Sequence, residues 1–134
     1  MPRAWTADAA LPGGDIAAAD FGSFAAGLRR DYPALPADAV DHYARLYGTR
    51  AYQLLDGARM PDDLGCHFGG ALYQREAEFL QDQEWASTAD DILERRTKHG
   101  LRLAAEQRQA FSDWMFKMAK FHRPARRYLP AACV

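Results

Sequence analysis

Apolar residues in the first third of the chain recur at helical spacing. Phe21, Phe24, Ala25 and Leu28 stand at i, i+3, i+4 and i+7, behind Asp20, a residue type that caps helix amides. Arg29 and Arg30 close that stretch, where cations suit the negative end of the helix dipole. The prolines of "YPALP" at 32–36 then interrupt the helix, because each restricts itself and the residue before it. A second helix is predicted from Pro36 to Tyr47, with Val40, Tyr43 and Tyr47 on one face and Gly48 free to take the positive φ that ends it. Thr49 is expected to cap a short third helix with Ala51, Leu54, Leu55 and Ala58 inside.

In "DGARMPDDLGCHFGG", residues 56–70, the pattern collapses, and a loop is predicted. Helical spacing resumes from Ala71 to Trp85, with Leu72, Glu76, Phe79, Leu80 and Gln83 on the stripe. The run "EWASTADDILERRTKHGL", residues 84–101, sorts its charges along one short helix. Thr88 and Asp91 form an [ST]-x-x-[DE] capping pair, and Asp90 and Asp91 lie at the positive end of the dipole. Arg95, Arg96 and Lys98 lie at the negative end, and Gly100 is expected to stop the helix. A last helix is predicted from Ala105 to Phe121 along Phe111, Trp114, Met115, Met118 and Phe121. No run alternates with period two. The pattern therefore predicts an all-α, single compact domain of about six short to medium helices. Residues 1–14 read as an extended lead-in, 15–123 as the helical domain and 124–134 as a basic, flexible tail.

Composition narrows the function classes. With 134 residues, 49% hydrophobic and 26% charged, the chain suits one globular domain with a real core. A net charge of -1 exerts no global pull on nucleic acid, and no apolar run approaches the roughly 18 residues that span a bilayer. The first fifteen residues lack the apolar core of a signal peptide. Cys66 and Cys133 make no disulfide framework, so a cytoplasmic setting is expected.

Candidate chemistry adds little to this. Cys66-His67 with His42, His99 and His122 has no paired ligand spacing, so no metal is expected. Glu76, Glu78 and Glu84 are read as solvated or paired helix carboxylates, not as an acid/base set. "RLYGTRAYQLL" has a helix–glycine–helix look, but its second helix offers only Arg50 and Arg59 as bases, so nucleic acid is not expected as a partner. After Asp113 the chain has no acid but has Lys117, Lys120, Arg123, Arg126 and Arg127, with Phe116 off the apolar stripe. That end suits anionic lipid headgroups, or else serves as a solubilising tail. Arg96 falls near Ile92 and Leu93, so it and Trp85 are assigned structural roles. Arg95 and Lys98 share a neighbouring face that could dock another domain.

Five segments, "LPGGD" (11–15), "YPALP" (32–36), "RLYGTRA" (45–51), "LGCHFGGALYQREAEFL" (64–80) and "EWASTADDILERRTKHGL" (84–101), stand in an order that resembles the C-terminal helical domain of FAD-dependent respiratory glycerol-3-phosphate dehydrogenases. The likeness covers nearly all of residues 5–118; Glu94 and His99 depart from it, standing where such segments often carry an aromatic or apolar residue. The resemblance implies a parent enzyme that oxidises glycerol 3-phosphate to dihydroxyacetone phosphate on FAD and reduces quinone, peripheral at the inner face of the cytoplasmic membrane. It also implies an N-terminal FAD-binding domain, of which residues 1–14 would be the linker's remnant. No position here matches a family catalytic or FAD-binding residue, and "GCHFGG" lacks dinucleotide spacing, so the chain itself is expected to be a non-catalytic accessory domain without a cofactor. The alternative is an independent helical module for a protein partner or a membrane surface.

Overall fold

The computed structural model describes residues 9–121. It bears out the all-helical expectation: helices carry the domain, beside one two-stranded sheet. Helix α1 (Phe21–Asp31) starts at Asp20, whose Oδ1 accepts the Ser23 amide at 3.1 Å. It packs on α2 (Ala37–Tyr47), which begins directly after Pro36 and buries Ala39, Val40, Tyr43, Ala44 and Tyr47. Arg29 of α1 pairs with Asp41 of α2 across the junction.

Gly48 ends α2 at φ 55° because another backbone occupies the space beside it. The Gly13 carbonyl accepts the Thr49 amide at 3.1 Å, and a Cβ on Gly48 would lie 1.9 Å from that same oxygen. The lead-in is thereby clipped to the α2–α3 corner. The third helix shrinks to one turn, α3 (Ala51–Leu54). Arg50, not Thr49, precedes it, and no side chain caps it.

The predicted loop holds a short antiparallel hairpin, β1 (His67–Gly69) and β2 (Leu72–Tyr73), with His67 opposite Tyr73. Gly69 and Gly70, at φ 129° and 53°, reverse the chain where a period-two reading has too few residues to register. The helix predicted from Ala71 therefore begins later, as α4 (Gln74–Glu84). Its end is also unexpected. Trp85 stops it in the left-handed conformation at φ 53°, and the Ala86 amide returns to the Leu80 carbonyl at 3.1 Å.

The stretch predicted as a regular helix to Gly100 is instead a wide π-type turn, Asp91–Arg96. The Thr97 amide reaches back five residues to the Ile92 carbonyl at 3.0 Å, and the Thr97 hydroxyl takes that same oxygen at 2.7 Å. Lys98 then turns left-handed (φ 62°), so the helix stops before Gly100. Gly100 serves another purpose, since a Cβ there would lie 2.2 Å from the Glu94 carboxylate.

Helix α5 (Ala105–Phe121) buries Phe111 and Met115 against the hairpin, where Phe68 meets Phe111 edge-on at 4.9 Å and Trp114 at 5.2 Å. One apolar cluster runs from Leu28 through Tyr43, Leu54, Leu64, Leu72, Phe79 and Ile92 to Phe111. No helix among the described residues is long and apolar enough to cross a membrane.

Two substitutions test this construction. Thr88→Ala should lower stability by about 1 kcal/mol through loss of a cap. Gly48→Ala should lower the urea midpoint further, because it combines a left-handed Cβ with a clash against Gly13. Equal midpoints for wild type and Gly48→Ala would mean that the lead-in is not clipped there.

Candidate functional site

The fold brings together three residues far apart in sequence. His42 comes from α2, Glu76 from the first turn of α4, and His99 from the turn that follows left-handed Lys98. The Glu76 side chain is 0% exposed. Its Oε1 accepts the Tyr47 hydroxyl at 2.7 Å and His42 Nε2 at 2.8 Å, and its Oε2 accepts His99 Nε2 at 3.0 Å. An ionised carboxylate only accepts, so both Nε2 atoms carry hydrogen in this arrangement. The two imidazoles lie 4.6 Å apart, centre to centre.

Burial by itself pushes the Glu76 carboxyl upward, as for any charge taken out of water. The hydrogen bonds from His42 and His99, with the charge they can carry, outweigh it and hold the group below its ordinary value. Tyr47 is driven the other way, first by burial and then by the Glu76 charge. Tyr43, beside His42, keeps a buried hydroxyl with no hydrogen-bond partner; its acidity is suppressed by burial and again by Glu76. The site reaches solvent only along His42, whose side chain is 20% exposed against 5% for His99.

A buried carboxylate with two imidazoles is poorly placed for chemistry on a large substrate. It suits holding structure or a small cation, since one donor atom from each of His42, Glu76 and His99 lies within 4.8 Å of the others. The sequence reading expected no ligand grouping because no spacing joined these residues. One signal was available: Glu76 lies on the apolar stripe between Leu72 and Phe79, so an acid faced the core.

The residues singled out from sequence lie elsewhere. Thr88 Oγ1 accepts the Asp91 amide at 3.1 Å, while Asp91 Oδ2 accepts the Thr88 and Ser87 amides, each at 3.1 Å. Arg96 reaches Glu84 at 2.9 Å, and Arg50 reaches the other oxygen of that carboxylate at 2.6 Å. Arg95 is 78% exposed with Asp91 one turn away at 3.3 Å, and the Lys98 ammonium donates to the Glu94 carbonyl at 2.5 Å. Trp85, assigned a structural role, is 86% exposed: its left-handed backbone ends α4 but its ring packs on no core, which corrects that assignment. Glu94, a departure from the family segments, pairs with Arg108 at 2.6 Å. Phe116 is exposed and carries the Lys120 ammonium 4.5 Å from its ring centre, with Lys117 exposed beside it. Arg123, Arg126 and Arg127 lie outside the described residues. Cys66 and His67 do not share a site with this cluster: Cys66 is buried, while the His67 ring stacks on Tyr73 at 4.4 Å and meets the Gly70 carbonyl at 2.8 Å. Glu78 takes the Gln74 amide at 2.8 Å.

The sequence that folds into this helical domain matches a known class. Residues 4–123 match the family described as the C-terminal domain of alpha-glycerophosphate oxidase, and the chain belongs to that family. It is 51% identical over 110 residues to a D-erythritol 1-phosphate dehydrogenase of Brucella abortus (strain 2308), covering 82% of this chain and 22% of the relative. It is 46% identical over 112 residues to the aerobic glycerol-3-phosphate dehydrogenase of Escherichia coli (strain K12), covering 84% and 22%. Identity to a glycerol-3-phosphate dehydrogenase of Pseudomonas aeruginosa is 41% over 121 residues, covering 90% and 23%. The chain thus spans under a quarter of the length of the curated relatives it matches.

The hub makes a pH prediction. Glu76 has a folded pKa below its unfolded value of 4.5, so its stabilisation is complete above that value and is lost as pH falls through the folded pKa. Glu76→Gln should destabilise metal-free protein at neutral pH by roughly 3 kcal/mol, as expected for breaking a buried charged pair. The gap from wild type should narrow below pH 4.5 in urea titrations. A gap that stays constant down to strong acid would exclude an ionised Glu76.

Proposed function

We propose that this chain serves as the C-terminal accessory domain of an FAD-dependent polyol-phosphate dehydrogenase. The full protein would oxidise glycerol 3-phosphate to dihydroxyacetone phosphate, two electrons passing to FAD and then to quinone. Family membership over residues 4–123 carries this reading. Glycerol 3-phosphate is preferred because two of the three relatives described above are named for it; the third is named for erythritol 1-phosphate. The domain itself supplies no redox chemistry. Its task is to pack on the FAD-binding domain, in a cytoplasmic enzyme held at the inner face of the membrane.

Surface features support the packing role. A cleft lined by Pro12, Leu46, Arg50, Glu84 and Arg96 is flanked in sequence by Leu11 and Trp85, which are 79% and 86% exposed. A bulky aromatic in the left-handed region costs backbone energy that no internal packing of its ring repays. Large exposed aromatics and arginines are the residues that anchor interfaces. Arg95 and Lys98, one and two residues from Arg96, extend that rim with positive charge. The membrane-surface reading draws on Phe116, Lys117 and Lys120 at the other end of the sequence.

The isolated chain should purify colourless and reduce no quinone analogue with glycerol 3-phosphate. Stoichiometric flavin bound to it would overturn the accessory assignment. In the longer parent enzyme, Trp85→Ala and the Arg95→Ala/Lys98→Ala pair should each speed proteolysis near Leu11–Asp15 several-fold while leaving the isolated domain's Tm unchanged. An unchanged cleavage rate would remove this face from the interface. Turnover of erythritol 1-phosphate but not glycerol 3-phosphate would reassign the substrate and keep the domain's role.

A further inference from the structure

We propose that His42, Glu76 and His99 form a binding site for one zinc-class divalent cation that ties α2, α4 and the 97–101 turn together. The donor set is two imidazoles and one carboxylate. That mixture selects a borderline ion such as Zn²⁺ over Ca²⁺ or Mg²⁺, which require mostly oxygen ligands.

The distances suit the ion. Ligands at about 2.1 Å in a tetrahedral shell stand about 3.4 Å from each other. His42 Nε2 and His99 Nε2 already sit 2.8 and 3.0 Å from the Glu76 oxygens, and all three donors fall within 4.8 Å of one another. Insertion therefore needs the imidazoles to withdraw about 0.5 Å from the carboxylate oxygens and the widest donor pair to close by up to about 1.4 Å, within reach of side-chain rotation. On binding, a neutral imidazole moves its hydrogen from Nε2 to Nδ1, whereas a protonated one releases its Nε2 hydrogen to solvent and keeps Nδ1–H; either way the freed Nε2 lone pair ligates. Glu76 supplies one negative charge against the ion's two, so the site keeps a net positive charge unless a hydroxide joins it.

The surroundings already contain the support that such a site needs. The Tyr47 hydroxyl on Glu76 Oε1 would orient the carboxylate as an outer-sphere donor. The partly exposed edge of His42 gives an entry path. A fourth position falls to water; the nearby Tyr43, its ring 5.5 Å from that of His42, carries a buried hydroxyl without a partner among the described residues, and buried polar groups usually find one. The site is structural in this proposal, since it has no room for a substrate at a fully buried carboxylate. It does not depend on the function proposed above.

The experiment uses this chain after chelator treatment. One equivalent of ZnCl₂ should raise Tm by on the order of 5–10 °C, because an ion that binds only the folded state stabilises it. Co²⁺ in place of zinc should give an intense visible d–d band of a nitrogen–oxygen tetrahedral site. His42→Gln and His99→Gln keep a hydrogen-bond donor facing Glu76, so the fold should survive while both signals fall at least ten-fold. A second measurement needs no variant: in a zinc titration followed by NMR, the ring protons of two of the four histidines, those of His42 and His99, should shift. No Co²⁺ band in wild type, a band retained in both variants, or shifts confined to His67 and His122 would each overturn the proposal.

Discussion

The carboxylate of Glu76 organises this domain. A charge with no exposed surface has lost its hydration, a cost of several kcal/mol that only donors from the protein offset. Three donors meet it, two from α2 and one from the 97–101 turn, so those elements are fixed against α4 at hydrogen-bond tolerance. The neighbouring residue acts in the opposite direction. Arg75, also buried, donates to the carbonyls of Leu54 at 2.6 Å and Asp63 at 3.3 Å, and to that of Asp56. The first turn of α4 therefore carries two buried ionic groups of opposite sign. One gathers the helical half of the fold, and the other gathers the irregular segment from α3 to the hairpin.

His99 can reach this hub only because the preceding helix is irregular. The five-residue reach of Thr97 to Ile92 widens the turn, and left-handed Lys98 then redirects the chain inward. The Thr97 hydroxyl accepts the His99 amide at 3.3 Å, which fixes the turn from its other side. In the same segment Glu94 and Gly100 fit each other: the carboxylate occupies the space that a Cβ would need, and Arg108 of α5 neutralises it while donating to the Gly100 carbonyl at 3.1 Å. The two positions that depart from the family segments are thus both engaged, one in the hub and one in an ion pair to α5.

What the sequence revealed and what it hid divide along physical lines. Helices α1, α2 and α5 were legible because each turns apolar residues at helical spacing towards the core, although α1 buries only Leu28 fully and leaves Phe21 exposed, and the reciprocal bonds of Thr88 and Asp91 involve residues only three apart. The hairpin was not, since two residue pairs interrupted by a bulge give no period. Neither was the π-type turn, because Ile92, Leu93 and Arg96 satisfy an α-helical pattern equally well. Trp85 misled for another reason: left-handed helix stops favour glycine, and a tryptophan there looks like core. The hub stayed hidden because its members are 34 and 23 residues apart, and no local rule links positions that only the tertiary fold brings together. The acid on the apolar stripe of α4 was the one trace it left in sequence.

The hub and the exposed rim are connected through α4. Glu76 sits in its first turn and Glu84 at its last residue, eight positions and about 12 Å along the axis. The segment that carries Arg96 and His99 bridges both ends, Arg96 to Glu84 and His99 to Glu76. Two ion-type contacts three residues apart on one side thus span eight on the other, so the segment lies along α4 and cannot shift at one end without loading the other. Arg50, shared at Glu84, adds α2's exit corner to the same bridge, and the clipped Gly13 carbonyl joins it one residue earlier, at Thr49. A change in how firmly the hub holds His99 is therefore felt at Arg96 and at the cleft beside it. In the proposed assembly that cleft faces the FAD-binding domain, which places the buried carboxylate one short helix away from the interface.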